Sequence, residues 1–98
     1  MKTGLITPVT GIDSDIEKCK EHLCNEYAEF KNAWTNWDEQ NGKTTAELVE
    51  ELVDLATSCM TLADRVEKKV KIPALVDNTL LMVASKNYSR GYHNNPMI

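Results

Sequence analysis

Residues 49–56 read VEELVDLA, and within them Glu51 and Asp54 stand one helical turn apart beside valine, leucine and alanine. Taking about 100° per residue with Leu48 at zero, Leu52, Leu55, Cys59, Leu62 and Val66 fall within about 40° of it. Val49, Val53, Ala56, Met60 and Ala63 widen this apolar arc on the positive side. Glu51 lies at about −60° and Asp54 at about −120°, on the edge of the stripe.

The preceding segment repeats the pattern. With Leu23 at zero, Ile12, Ile16, Cys19, Tyr27, Phe30, Trp34 and Trp37 lie within about 40°. Glu26 falls at about −60° and Glu29 at about −120°, the same two bearings. The connection from Asp38 to Lys43 is short, so the two helices are expected to run antiparallel. The local twofold of such a pair brings matching edges to one side, and Glu26 and Glu29 then meet Glu51 and Asp54. Four crowded carboxylates raise one another's pKa. A hard divalent cation with oxygen ligands relieves that conflict. The competing reading is a plain solvated acidic edge.

Three helices are expected, over about 14–37, 45–69 and 73–90, with a less ordered tail at 92–98. Ser14-Asp15-Ile16-Glu17 and Thr44-Thr45-Ala46-Glu47 read as capping boxes, in which hydroxyl and carboxylate satisfy first-turn N–H groups. Ile12 suits a hydrophobic staple before the first. Asn41-Gly42 breaks the chain. Pro73 fits a first helical turn, and Gly91 fits a stop. No segment alternates as a strand does, so the class is all-α. The third helix is apolar nearly all round (Leu75, Val76, Leu80, Leu81, Met82, Val83, Ala84), more than a three-helix monomer buries. A bundle completed by oligomerisation is the expectation.

The chain has 98 residues and a formal net charge of −4, which speaks against coating a nucleic-acid polymer. Cys19, Cys24 and Cys59 are odd in number and lack metal-type spacing, so a reducing compartment is expected. No run reaches the roughly 18 apolar residues of a membrane span, nor does the N-terminus read as a signal peptide. The expected location is the cytoplasm.

Asn25-Glu26-Tyr27-Ala28-Glu29, followed after residues 30–50 by Glu51-Leu52-Val53-Asp54, resembles the EExxE…ExxD signature of the MazG-like all-α nucleoside triphosphate pyrophosphohydrolases. Asn25 stands where that signature has its first Glu, on the bearing furthest from the seam. Lys86-Asn87-Tyr88-Ser89-Arg90 resembles the basic NxxR-type segment of the same family. With Leu75 at zero, Lys86 and Arg90 lie near +20° and +60°, among Thr79, Met82 and Val83. The alternative for them is a cationic helix end favoured by the macrodipole.

The resemblance implies hydrolysis of a (d)NTP to the monophosphate and pyrophosphate. It implies Mg²⁺, or Mn²⁺, held by Glu26, Glu29, Glu51 and Asp54, and phosphate contacts from Lys86, Asn87 and Arg90. It also implies assembly as a homodimer or homotetramer. Trp34 and Trp37 extend the first seam beyond the acids, either as core or as a stacking surface for a nucleobase. His22, one turn before Glu26, either orients a ligand or is structural. The contrasting function is a non-catalytic helical oligomerisation module of the same fold.

Overall fold

The computed structural model describes Pro8 and residues 15–91. Among them are three α-helices and no strand: α1 (Ile16–Thr35), α2 (Gly42–Val70) and α3 (Leu75–Ser89). The chain divides into two compact units between Val66 and Glu67, inside α2.

Each helix begins differently from the sequence expectation. Asp15, not Ser14, caps α1: its Oδ1 accepts from the Glu17 N–H at 2.9 Å. Ser14 and Ile12 lie outside the described residues. Helix α2 starts at Gly42 rather than at 45, and the Asn41 side chain before it serves as the cap. The Asn41 Oδ1 accepts from the N–H of Lys43 at 2.9 Å and of Thr44 at 3.3 Å. Thr44 and Thr45 do not cap. Their hydroxyls donate back to the Asn41 carbonyl at 3.1 and 3.0 Å.

The same two threonines tie down the loop between α1 and α2. Thr44 Oγ1 stands 3.0 Å from the Asp38 carbonyl, which shares the one hydroxyl hydrogen of Thr44 with the Asn41 carbonyl, and Oγ1 accepts from the Asp38 N–H at 3.1 Å. Trp37 lies past the end of α1, not within it, since Asn36 is the C-cap. Its indole Nε1 donates to Thr45 Oγ1 at 2.9 Å. A polar side chain that bonds nearby backbone competes with helix continuation, which is why this stretch turns.

Among the described residues, α1 shields one row: Ile16, Cys19, Leu23, Glu26, Phe30 and Ala33. Its spacing of three and four residues is that of a helix-pairing seam. Helix α2 carries the matching row Leu48, Glu51, Leu55, Ser58, Leu62 and Arg65, all shielded. Glu26 lies by Glu51, and counting residues outward along two antiparallel helices from that pair puts Cys19 level with Ser58 and Phe30 level with Leu48. Cys19, Leu48 and Ser58 are the most enclosed residues of these rows, each 5% exposed.

This seam does not follow the centre of the apolar stripe. Leu52, Val66 and Cys59, expected at the contact, are exposed, as are Tyr27 and Trp34 on α1. The α2 contact face is turned by about 60° toward Glu51. Thr61 and Arg65 are buried in place of the expected apolar residues, with Thr61 Oγ1 donating to the Thr57 carbonyl at 2.8 Å.

In the second unit, Pro73 lies in the turn before α3 rather than in its first turn. Lys71 (φ 57°) and Ala74 (φ 58°) both take the left-handed conformation that closes this turn. Each costs roughly 1 kcal/mol. A carboxylate oxygen of Glu67 offsets part of that by accepting the Leu75 N–H at 3.2 Å. Gly91, at φ 77°, ends α3 as expected, its N–H reaching the Tyr88 carbonyl at 3.0 Å. No residue of α3 is buried.

Replacing Asn41 by Ala removes two first-turn acceptor contacts from α2. The expected loss is about 1 kcal/mol, or a fall of about 4–8 °C in melting temperature. Asn41→Asp retains the acceptor and should melt close to the parent. An unchanged melting temperature in Asn41→Ala would remove Asn41 from the capping role.

Candidate cation site

Glu26 and Glu51 occupy interior positions of the paired seam, one from each helix. Each offers a carboxylate oxygen that, with one from Asp54, forms a group lying within 4.8 Å of one another. Glu26 and Glu51 are half-buried, whereas Asp54 is exposed at the rim. Oxygens on opposite sides of an octahedral Mg²⁺ stand about 4.2 Å apart. Adjacent ligands of such an ion stand about 3 Å apart, so the three side chains would have to draw together to share it.

The electrostatics give the arrangement its tension. Oε2 of Glu26 and Oε2 of Glu51 are both buried, and no donor reaches either among the described residues. The Glu26 pKa is raised above the ordinary value of 4.5, first by burial, then by Glu29 and by Asp54. His22 opposes this from 3.5 Å, its Nε2 facing Glu26 Oε1. The Glu51 pKa is likewise raised by burial, then by Glu29, Asp54 and Glu26. Glu29 thus acts on both interior acids from an exposed position. Two ionised carboxylates cannot hydrogen-bond each other, so a shared proton or a cation would relieve the pair.

The other candidate residues group separately. Trp34 continues an aromatic ladder along α1, with ring centroids 6.2 Å apart for Tyr27–Phe30, 6.4 Å for Phe30–Trp34 and 5.4 Å for Trp34–Trp37. Trp34 is 57% exposed, so it is not core. Phe30, Lys31, Trp34 and Thr35 line an open groove of about 410 Å³. Lys31 Nζ sits 4.7 Å above the Tyr27 ring. Lys86 and Asn87 stand in the last turn of α3, and Arg90 is its C-cap.

The sequence reading missed Arg65. Its guanidinium is 8% exposed and pairs through Nη1 with Asp64 Oδ2 at 2.7 Å. The signal was present in the three-four spacing Glu51, Leu55, Ser58, Leu62, Arg65, masked by polar residue types. Arg65 stands about 21 Å along α2 from Glu51. That exceeds twice the roughly 8 Å Debye length at physiological salt, so Arg65 does not neutralise the acids.

Compared with family models, curated proteins and solved structures, the chain matches none of them. No described helix is long and apolar enough to cross a membrane.

A raised carboxylate pKa in the folded state means the native protein binds more protons than the unfolded one. The cation-free fold therefore gains stability from these groups below the ordinary carboxylate pKa and loses it as pH rises through the raised values. Glu51→Gln removes the part of that dependence that belongs to Glu51 and leaves the part that belongs to Glu26. At neutral pH without divalent ions, the variant should melt above the parent, and its melting temperature should vary less from pH 4.5 upward. A variant melting below the parent at neutral pH would show that Glu51 is not held under like-charge strain.

Proposed function

We propose that this chain is a divalent-cation-dependent nucleoside triphosphate pyrophosphohydrolase of the MazG-like kind. The observation that carries the reading is the convergence of Glu26, Glu51 and Asp54 in a helix seam, with buried oxygens that lack donors. Glu29, acting on both interior acids, completes the proposed ligand set. Mg²⁺ or Mn²⁺ bound there would offset phosphate charge and acidify a water molecule. The carboxylates would hold the ion, exclude competing water on the buried side, and supply a base for the attacking water. In this reading Lys86, Asn87 and Arg90 pair with phosphate oxygens. Arg90 offers a planar fork that Lys cannot reproduce. Trp34 and Trp37 offer faces for the base, with the exposed groove at Phe30 and Trp34 beside them.

The substrate is a (d)NTP, and the products are the monophosphate and pyrophosphate. The setting proposed is the cytoplasm. The assembly is a homodimer or homotetramer: Val49, Leu52, Val53 and Val66 on α2, and Leu80 to Val83 on α3, are each at least 39% exposed. Apolar surface on that scale marks an association site. The same surface favours the second reading, a helical self-association module without catalysis.

Pyrophosphate release from a panel of (d)NTPs separates the two. With Mg²⁺ or Mn²⁺, at least one triphosphate should turn over, and chelation or Glu51→Gln should abolish it. Arg90→Ala should lower turnover, and Arg90→Lys should restore it only in part. No release from any triphosphate, by a protein that light scattering shows as a stable oligomer, would favour the self-association module.

A further inference from the structure

Glu26 differs from its counterpart Glu51 in one respect. A turn before Glu26 stands His22, whose Nε2 lies 3.5 Å from Glu26 Oε1. The turn before Glu51 carries Glu47, and the turn after it Leu55. No other imidazole, lysine or arginine is seen against the acidic group among the described residues. The two oxygens of Glu26 consequently have different surroundings. Oε1 faces the half-exposed imidazole, and Oε2 is buried with no donor. A glutamate stem has three rotatable bonds, and a free carboxylate among like charges rotates away from them. A side chain that fixes one oxygen stops this and keeps the other available.

We propose that His22 is the positioning residue of the cation site: it holds Glu26 by Oε1 and leaves Oε2 for the ion. This rests on the cation-site reading above. Carboxylate ligands of metal sites are in turn held by outer hydrogen bonds, and losing such a partner typically weakens metal binding 10–100-fold. His22 is partly exposed, at 55% of its side chain, so its contribution sits at the lower end of that range. Gln at the same position offers an amide N–H at a reach that bonds an acid one turn on.

The test is calorimetric titration of Mn²⁺ alone, without nucleotide, at pH 8. The proteins are the parent, His22→Ala, His22→Gln and Glu26→Gln. The parent should bind, and Glu26→Gln should lose most of the affinity. His22→Ala should weaken binding about tenfold, and His22→Gln should recover most of that loss. The cation-free melting temperature of His22→Ala should stay with the parent, because an exposed contact contributes little to the fold. Equal Mn²⁺ affinity in the parent and His22→Ala would overturn the positioning role while leaving the cation site standing. Equal weakness in His22→Ala and His22→Gln would overturn it too, making the imidazole itself the requirement. No Mn²⁺ binding by the parent would overturn the cation site and the positioning role together.

Discussion

Two glutamates occupy inward positions of a helix pair that a coiled seam normally fills with leucine or isoleucine. That constraint propagates through the first unit. Because Glu26 and Glu51 face the same seam, α1 and α2 meet along a line turned toward their acidic edges. The apolar stripe of α2 is displaced from the contact, which is why Leu52 at 43% and Val66 at 39% stay exposed. The pair retains few buried apolar side chains, with Cys19 and Leu48 the most enclosed. Such a hairpin has little core of its own. Like charges within its seam oppose closure, and a bound cation would turn that opposition into attraction.

The exposed stripe and the acidic seam are two outcomes of one rotation. Had the helices met through the centre of the stripe, the acids would have lain on a solvated edge and needed no partner. By turning toward them, the fold encloses two carboxylate oxygens and leaves valines and leucines outward. A fold that gives up apolar contact for a charged interior must recover the difference elsewhere, which suits assembly between copies and occupancy by an ion.

Helix number, class and approximate extent were legible because apolar residues recur at helical spacing over long stretches. The matched bearings of Glu26, Glu29, Glu51 and Asp54 came from the same spacing; the structure brings Glu26, Glu51 and Asp54 within 4.8 Å of one another and leaves Glu29 outside that group. The position of the seam was not legible. Periodicity locates the centre of an apolar stripe, but small and polar residues such as Cys19, Ser58 and Thr61 are among the most enclosed. The caps were misread because several capable residues stood together. Asp15 and Asn41 took the role from Ser14, Thr44 and Thr45, and the geometry of one turn chooses among them. Trp37 was placed in α1 because its bearing continues the row. The Asp38–Thr44 and Trp37–Thr45 hydrogen bonds, which end the helix first, connect residues that only the folded loop brings together.

The proposed cation would bind between the interior acids Glu26 and Glu51. Thermal unfolding of the parent protein at neutral pH, in chelator and then in millimolar Mg²⁺ or Mn²⁺, tests this binding most directly. An ion that binds the native state at 100 times its Kd adds about 2.7 kcal/mol. The account predicts a melting temperature that climbs with cation concentration, and a climb that Glu26→Gln and Glu51→Gln abolish. Superimposable melting curves in chelator and in either cation would contradict it.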